Sequence, residues 1–386
     1  MKRYYIAVAR NDRFSLEDVL GCPCVYYHEL AARSLNCEFF LLAHEDKREV
    51  YSEIFPTDRV FSFHEEKLLL EKLDEETPIF LTYTDVFAAI DEKIFTENKW
   101  GVKFVAVTDK RKLPAATIRQ ALAASAAQDS EDCFPALRLD SELDVTYLRN
   151  LIKKKINADL AAKGVVFSDL EAAQIGPLAS VEAGAVIKTN VVISGSSWIE
   201  TDAVIEEQTK IESSIIGTGT HVYQSRIVNS KVGSHNSIVS SDLDSCSIGD
   251  LNQIGPFARL RGQTQIDSKT VVGNFVELKG SSIKNNVKIK HLSYIGDTFI
   301  EKNANIGCGV ITANYDGRSK FQTKIGEHCF VGCNSTLVAP VSLAKDSYVA
   351  AGSTVTEDVG EGELAIARSR QINKAGYVSK KGLKQS

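Results

Sequence analysis

The chain has 386 residues, 44% of them hydrophobic and 25% charged, with a formal net charge of −5. This is ordinary for a folded protein of two domains, its slight acidity argues against a general nucleic-acid binder, and no run approaches the 18 or so apolar residues of a membrane span. The opening Met1-Lys-Arg-Tyr-Tyr-Ile-Ala-Val has too short an apolar stretch for a secretory signal, so the expected location is the cytoplasm.

In chain order, residues 1–140 alternate expected strands at 4–9, 38–43, 79–83 and 103–108 with expected helices at 26–35 and 117–127. Such alternation predicts an α/β layer. Asp85 falls at the carboxyl end of the third strand, where open α/β sheets hold ligands and metals. No glycine-rich turn follows the first strand to cradle a phosphate. Further on, Leu143, Leu148, Leu151, Ile152 and Ile156 recur at helical spacing. Ser141 with Asp144 reads as a capping box and Gly164 as a stop, so a connecting helix is expected over 141–164, with Lys153, Lys154 and Lys155 on a solvated face.

From 165 to 365 the pattern changes. An aliphatic residue returns every sixth position: Ile175, Val181, Ile187, Ile193, Ile199, Ile205 and Ile211, then Ile248 to Leu278, then Ile325 to Val355. A hexapeptide period marks a parallel β-helix, in which three short strands make one triangular coil and the aliphatic residue points inward. The period does not give the handedness. Spacing alternates between five and six from Val222 to Leu243, and it fails between Ile306 and Ile325, where residues 312–323 are expected to leave the prism as a loop. Residues 366–386 read as a tail.

Polar residues concentrate between 257 and 320. Arg261 and Lys279 are 18 residues apart, three hexapeptides, so they are expected on one face one coil apart, about 5 Å along the axis. Two cations that close suit a phosphate. His291 follows 12 residues later, near the same ledge, and histidine is the side chain suited to general base work near neutrality. A ridge of solvated charges with a structural histidine is the plain alternative. Eight cysteines are scattered without a Cys-x-x-Cys framework, and Cys22-Pro-Cys24 has no second pair to complete a metal site, so ordinary reduced thiols are expected.

The phrases Gly255-Pro-Phe-Ala-Arg-Leu-Arg261, Gly273-Asn-Phe-Val-Glu277, His291-Leu-Ser-Tyr-Ile-Gly-Asp297, Asn314-Tyr-Asp-Gly317 and Leu337-Val-Ala-Pro-Val341 carry a resemblance. They are similar to the acetyltransferase half of the bifunctional N-acetylglucosamine-1-phosphate uridyltransferase / glucosamine-1-phosphate N-acetyltransferase family, which makes UDP-N-acetylglucosamine. The resemblance implies a left-handed β-helix that forms homotrimers with active sites between subunits. It also implies acetyl-CoA as co-substrate and glucosamine-1-phosphate as acceptor. By position, His291 resembles the family's catalytic base. Arg261, Lys279, Tyr294, Asn305, Asn314, Tyr315 and Lys320 resemble its sugar-phosphate contacts, and Cys308, Cys333, Ala351 and Arg368 its coenzyme contacts. Cys308 and Cys333 replace the alanine and serine usual there.

Residues 1–140 look like a degenerate, shortened form of the family's nucleotidyltransferase domain. Asp85 matches its metal-binding aspartate, but Thr84 stands where the family has glycine and the glycine-rich loop is missing. Uridylyl transfer, and with it a need for magnesium, is therefore expected to be lost. A bifunctional enzyme and a non-catalytic trimeric sugar-phosphate scaffold are the alternatives, and Cys308 as an acyl-carrying nucleophile is a rival mechanism.

Overall fold

The computed structural model describes residues 4–9, 18–20, 22–34, 36–73, 79–83, 86–88, 102–107, 133–138 and 141–381. Asp85 and the helix expected at 117–127 lie outside the described residues. The chain divides into two compact units: one of Met1–Ala162, Leu170–Ala179 and Ile193–Gly195, the other of Lys163–Asp169, Ser180–Val192 and Ser196–Ser386. Among the described residues no helix is long and apolar enough to cross a membrane.

The first unit is built on a seven-stranded sheet. Four parallel strands lie in the order Val60–Ser62, Glu38–Ala43, Tyr4–Val8, Ile79–Tyr83. Val102–Val107, Cys133–Arg138 and Val86–Ala88 continue the sheet antiparallel. In the strand Glu38–Ala43 every residue after Glu38 is buried, as a parallel strand covered on both faces requires. Tyr5, Phe39, Leu41, Val25 and Tyr51 form one core. A second joins Val19, Cys22 and Tyr27 to Val145, Leu148 and Ile152 of the helix Glu142–Ala162. That helix starts on the expected capping box: the Ser141 amide donates to Asp144 Oδ2 at 2.8 Å, and the Asp144 amide donates to Ser141 Oγ at 3.3 Å. It stops at Gly164, whose φ of 99° is open to glycine at little cost.

The second unit is a parallel β-helix. Strands follow one another around three walls, and each pairs with the strand three further along the chain. The first wall runs through Val186–Ile187, Val204–Ile205, His221–Tyr223 and onward. The second includes Lys210–Glu212, Arg226–Val228 and Asp242–Asp244. The third includes Trp198–Ile199, Ile215–Ile216 and Lys231–Val232. Inward residues stack in register, as in Ile227, Leu243, Leu260, Leu278 and Ile295, all fully buried. Each interior methylene contributes roughly 0.8 kcal/mol, so the ladders supply the core that a sheet folded around nothing else would lack.

The two irregularities resolve differently. From Val222 to Leu243 no segment is lost; corners are one residue shorter, and paired residues are 16 apart, as in Ile227 with Leu243 and Val222 with Ile238. The second break begins later than the spacing predicts. Thr312 still sits six residues after Ile306, fully buried at an inward position. Its hydroxyl accepts the Gly296 amide at 2.8 Å and lies 3.2 Å from the Gly296 carbonyl, so a polar group replaces an aliphatic one with its hydrogen bonds met. The excursion from the wall is confined to residues 314–322, between the strands Ile311–Ala313 and Thr323–Ile325.

Candidate active site

Between the first and second walls, each of several coils turns through the same four-residue corner. An inward aliphatic residue is followed by two residues and then by one in the left-handed region. The left-handed residues are Phe275, Leu292, Gly309, Asn334 and Gly352, at φ 57°, 39°, 74°, 54° and 74°. The residue before each forms a column: Asn274, His291, Cys308, Cys333, Ala351. Pairing of Asn274 with His291, Ile289 with Ile306, Ile306 with Val331 and Val331 with Val349 fixes the register of these turns. Amides of the left-handed residues tie the coils together, Leu292 to the Asn274 carbonyl at 3.0 Å, Asn334 to that of Cys308 at 2.7 Å and Gly352 to that of Cys333 at 2.8 Å. Column residues are thus one strand spacing apart, about 4.8 Å.

His291 is exposed at the end of the strand Lys288–His291, with Nδ1 3.1 Å from Asn274 Oδ1. It does not share the ledge of Arg261 and Lys279. Eighteen residues return to the same wall, but twelve end two walls on, so His291 falls on the corner column. Arg368 lies at the far end of the column, its Cδ 4.0 Å from where a Cβ would sit on Gly352.

The second wall carries the cations. Arg261 is paired directly with Lys279, the one-coil step read from their spacing. Glu277, two residues before Lys279 on the same outward face, holds Arg261 by contacts of 2.8 Å from Nε and 2.6 Å from Nη2. Lys320 reaches the same place from the loop. The adjoining Lys279 ammonium, by hydrogen bond and by charge, lowers the pKa of Lys320, and Asp297 partly opposes that shift. Asn314, nearly fully buried, donates its amide to Asp297. Gly296 is needed here for close approach: a Cβ would meet Tyr294 Oη at 2.6 Å and Asn314 Nδ2 at 2.8 Å. The loop is stiffened from within. Tyr315 bridges Lys320, Tyr315 Oη donates to the Gly317 carbonyl at 2.7 Å, and Asp316 accepts the Ser319 and Arg318 amides at 2.7 and 2.8 Å, which hold its carboxyl below the usual range. Asn305 faces outward on the first wall, between Lys288 and Phe330.

Two groups of predicted residues are therefore brought together: His291, Cys308, Cys333, Ala351 and Arg368 along the corner, and Arg261, Lys279 and Tyr294 on the next wall with Asn314 and Lys320 of the adjoining loop. Sequence reasoning missed Asn274, Glu277 and Asp297. Asn274, His291 and Cys308 are spaced by 17 and 17, a signal that a strict six-residue ruler overlooks. Phe257, Phe275 and Leu292 were also unforeseen. They are bulky residues with positive φ, more than half exposed, and the first two rings stack at 5.5 Å. Among the described residues no group of His, Cys, Asp and Glu is placed to hold a metal ion.

A family model described as the hexapeptide repeat of succinyl-transferase matches residues 322–357. Bifunctional protein GlmU of Clostridium acetobutylicum is 38% identical over 247 residues, 64% of this chain and 51% of that protein. The GlmU protein of an Exiguobacterium strain is 42% identical over 230 residues, 60% of this chain and 48% of its own. The chain thus spans about half the length of the curated relatives it matches. A solved structure of LpxA from Acinetobacter baumannii is similar at 18% identity and a TM-score of 0.31, over 48% of this chain and 68% of that one. Across the matched region the chain is a homologue of the bifunctional GlmU proteins, carried on a left-handed β-helix of hexapeptide repeats.

Proposed function

We propose that the chain transfers an acetyl group from acetyl-CoA to the 2-amine of glucosamine-1-phosphate, with His291 as general base. The corner column carries this reading. One ring nitrogen of its histidine faces an amide oxygen, three small side chains follow in successive coils, and the adjoining wall holds more cations than carboxylates. Nδ1–H donates to Asn274 Oδ1, which leaves Nε2 free to take a proton. Arg261, Lys279 and Lys320, set against Glu277 and Asp297, suit a phosphorylated sugar. Tyr294, Asn305, Asn314 and Tyr315 supply groups for the sugar hydroxyls. Cys308, Cys333 and Ala351 would leave room for the thin pantetheine arm, and Arg368 suits the coenzyme's phosphates.

The coenzyme supplies the acetyl group as a thioester. The amine nitrogen bonds to the carbonyl carbon while Nε2 removes its proton. The carbon–sulfur bond then breaks, and the proton passes from His291 to the departing sulfur. Direct attack needs no acyl-cysteine. A homotrimer completes the reading: a second copy is the occupant that fits the exposed apolar ridge of Phe257, Phe275 and Leu292, which lies one residue from the column.

Thiol release from acetyl-CoA, followed with glucosamine-1-phosphate, other amino-sugar phosphates and free glucosamine, tests the proposal. Release with glucosamine-1-phosphate and not with free glucosamine is expected; no release with any acceptor would leave only a binding scaffold. The proposal does not extend to uridylyl transfer, because residues 1–140 contain no glycine-rich nucleotide loop. Formation of UDP-N-acetylglucosamine and pyrophosphate in the presence of magnesium and UTP would overturn that restriction.

A further inference from the structure

Among the described cysteines, Cys37 is half-buried in the first unit and the others fall into two classes. Cys22, Cys24, Cys246 and Cys329 are buried. Burial, the main cause in each case, pushes the Cys22 thiol up to about 11 and that of Cys246 up to about 12, so both stay protonated and unreactive. The Cys329 sulfur is engaged with the Ala344 carbonyl at 2.9 Å and the Ser347 hydroxyl at 3.2 Å. Cys308 and Cys333 differ: one is half-buried, the other exposed, and both stand in the corner column.

The turns that hold them match residue for residue. Ile306-Gly-Cys-Gly309 lies in register with Val331-Gly-Cys-Asn334, because Asn305 pairs with Phe330 and Ile306 with Val331. Each turn closes on a left-handed residue, and the Asn334 amide donates to the Cys308 carbonyl at 2.7 Å. Equivalent residues of neighbouring parallel strands have Cα atoms about 4.8 Å apart. That lies inside the window of roughly 4.4–6.8 Å that a disulfide requires. The chain hides this pairing, since the excursion at 314–322 sets the two cysteines 25 residues apart.

We propose that Cys308 and Cys333 form an oxidation-sensitive dithiol, a modification site that closes to a disulfide on reaction with a peroxide. The exposed Cys333 sulfur attacks one peroxide oxygen, the O–O bond breaks, and a sulfenic acid and a hydroxide result, the hydroxide taking up the proton released by the thiol to become water. The Cys308 sulfur attacks that sulfenic sulfur and expels the second water. Two thiols lose two protons and two electrons, and one hydrogen peroxide takes them up to become two waters. The functional consequence rests on the acetyl-CoA reading above: a cross-link in the column changes the surface between His291 and Ala351 and hinders the coenzyme.

The test uses the reduced full-length protein. Hydrogen peroxide is added, remaining thiols are alkylated, and the digest is mapped by mass spectrometry, with acetyl-CoA binding measured on the same samples. The expected result is a peptide pair linked through Cys308 and Cys333, lighter by two hydrogens, reversed by dithiothreitol and lost in Cys333→Ser. Acetyl-CoA affinity should fall about tenfold or more and return on reduction. Alkylated or sulfinic cysteines at both positions, with no linked peptide, would overturn the dithiol. A linked peptide with unchanged acetyl-CoA affinity would uphold the modification site and overturn the coenzyme path instead.

Discussion

The corner between the first and second walls comes in two lengths. From Val222 to Ile227 and from Ile238 to Leu243 it spans five residues, and one residue separates the inward aliphatic from the left-handed Gln224 or Ser240. From Val272 to Leu278 and from Ile289 to Ile295 it spans six, and a second residue is interposed. The inward ladder is indifferent to the change: Val222, Ile238, Val272 and Ile289 are all fully buried. One added residue per coil therefore costs the interior nothing and creates an outward position at a rigid, backbone-bonded turn. The corners at Ile187–Ile193, Ile205–Ile211 and Ile254–Leu260 also span six, and from Val272 onward the added positions stack as the column of Asn274, His291, Cys308, Cys333 and Ala351. The five-residue corners are scaffold; the six-residue ones offer a row of side chains at fixed spacing.

The sharpest way to break this division is His291→Ala. The side chain is exposed, so the fold should be unaffected, while acetyl transfer should fall about 10²–10⁴-fold, the range typical for loss of a general base. Circular dichroism and the thiol-release rate together read both halves. Leu278→Ala should do the reverse: it removes buried aliphatic volume from the ladder and should cost about 2–5 kcal/mol in denaturant unfolding.

Asn274→Asp sharpens the chemistry within the column. A carboxylate facing Nδ1–H favours the imidazolium, whereas the base must be neutral. The acid limb of the rate profile should therefore move up by about one pH unit, with the rate recovering at higher pH. A purely structural asparagine would instead lower the rate at every pH. The smallest effect is expected at the scaffold corners. Insertion of one residue after Tyr223 lengthens a five-residue corner to six and should cost about 1 kcal/mol or less, read as a small shift in denaturation midpoint with acetyl transfer retained.

Much of the prism was legible because its repeat makes sequence distance a measure of spatial distance. Many of the inward residues and the pairing of Arg261 with Lys279 follow from multiples of six; the shorter coils, with partners 16 or 17 apart, do not. The column was harder, because its steps are 17, 17, 25 and 18. Corner lengths and a loop decide those steps, and aliphatic periodicity does not report them. Thr312 was misread as the start of the loop because hydrogen bonds to Gly296, not apolarity, keep it inside. Glu277 escaped notice as a partner of Arg261 because a lone carboxylate on an outward face looks solvated until its neighbour one coil away is known. In the first unit, hydrophobic runs located four of the seven strands and missed Val60–Ser62, Val86–Ala88 and Cys133–Arg138. Their order places Tyr4 beside both Glu38 and Ile79, and that depends on pairings across long loops for which the chain carries no ruler.

On the proposed function, the corner column from Asn274 to Ala351 is the acetyl-transfer line. A crystal structure of the protein with acetyl-CoA bound tests it most directly. The thioester should lie at the level of His291 and Cys308, with the pantetheine arm running past Cys333 and Ala351 toward Arg368. Coenzyme bound along a different wall or corner, away from Cys308 and Cys333, would contradict it.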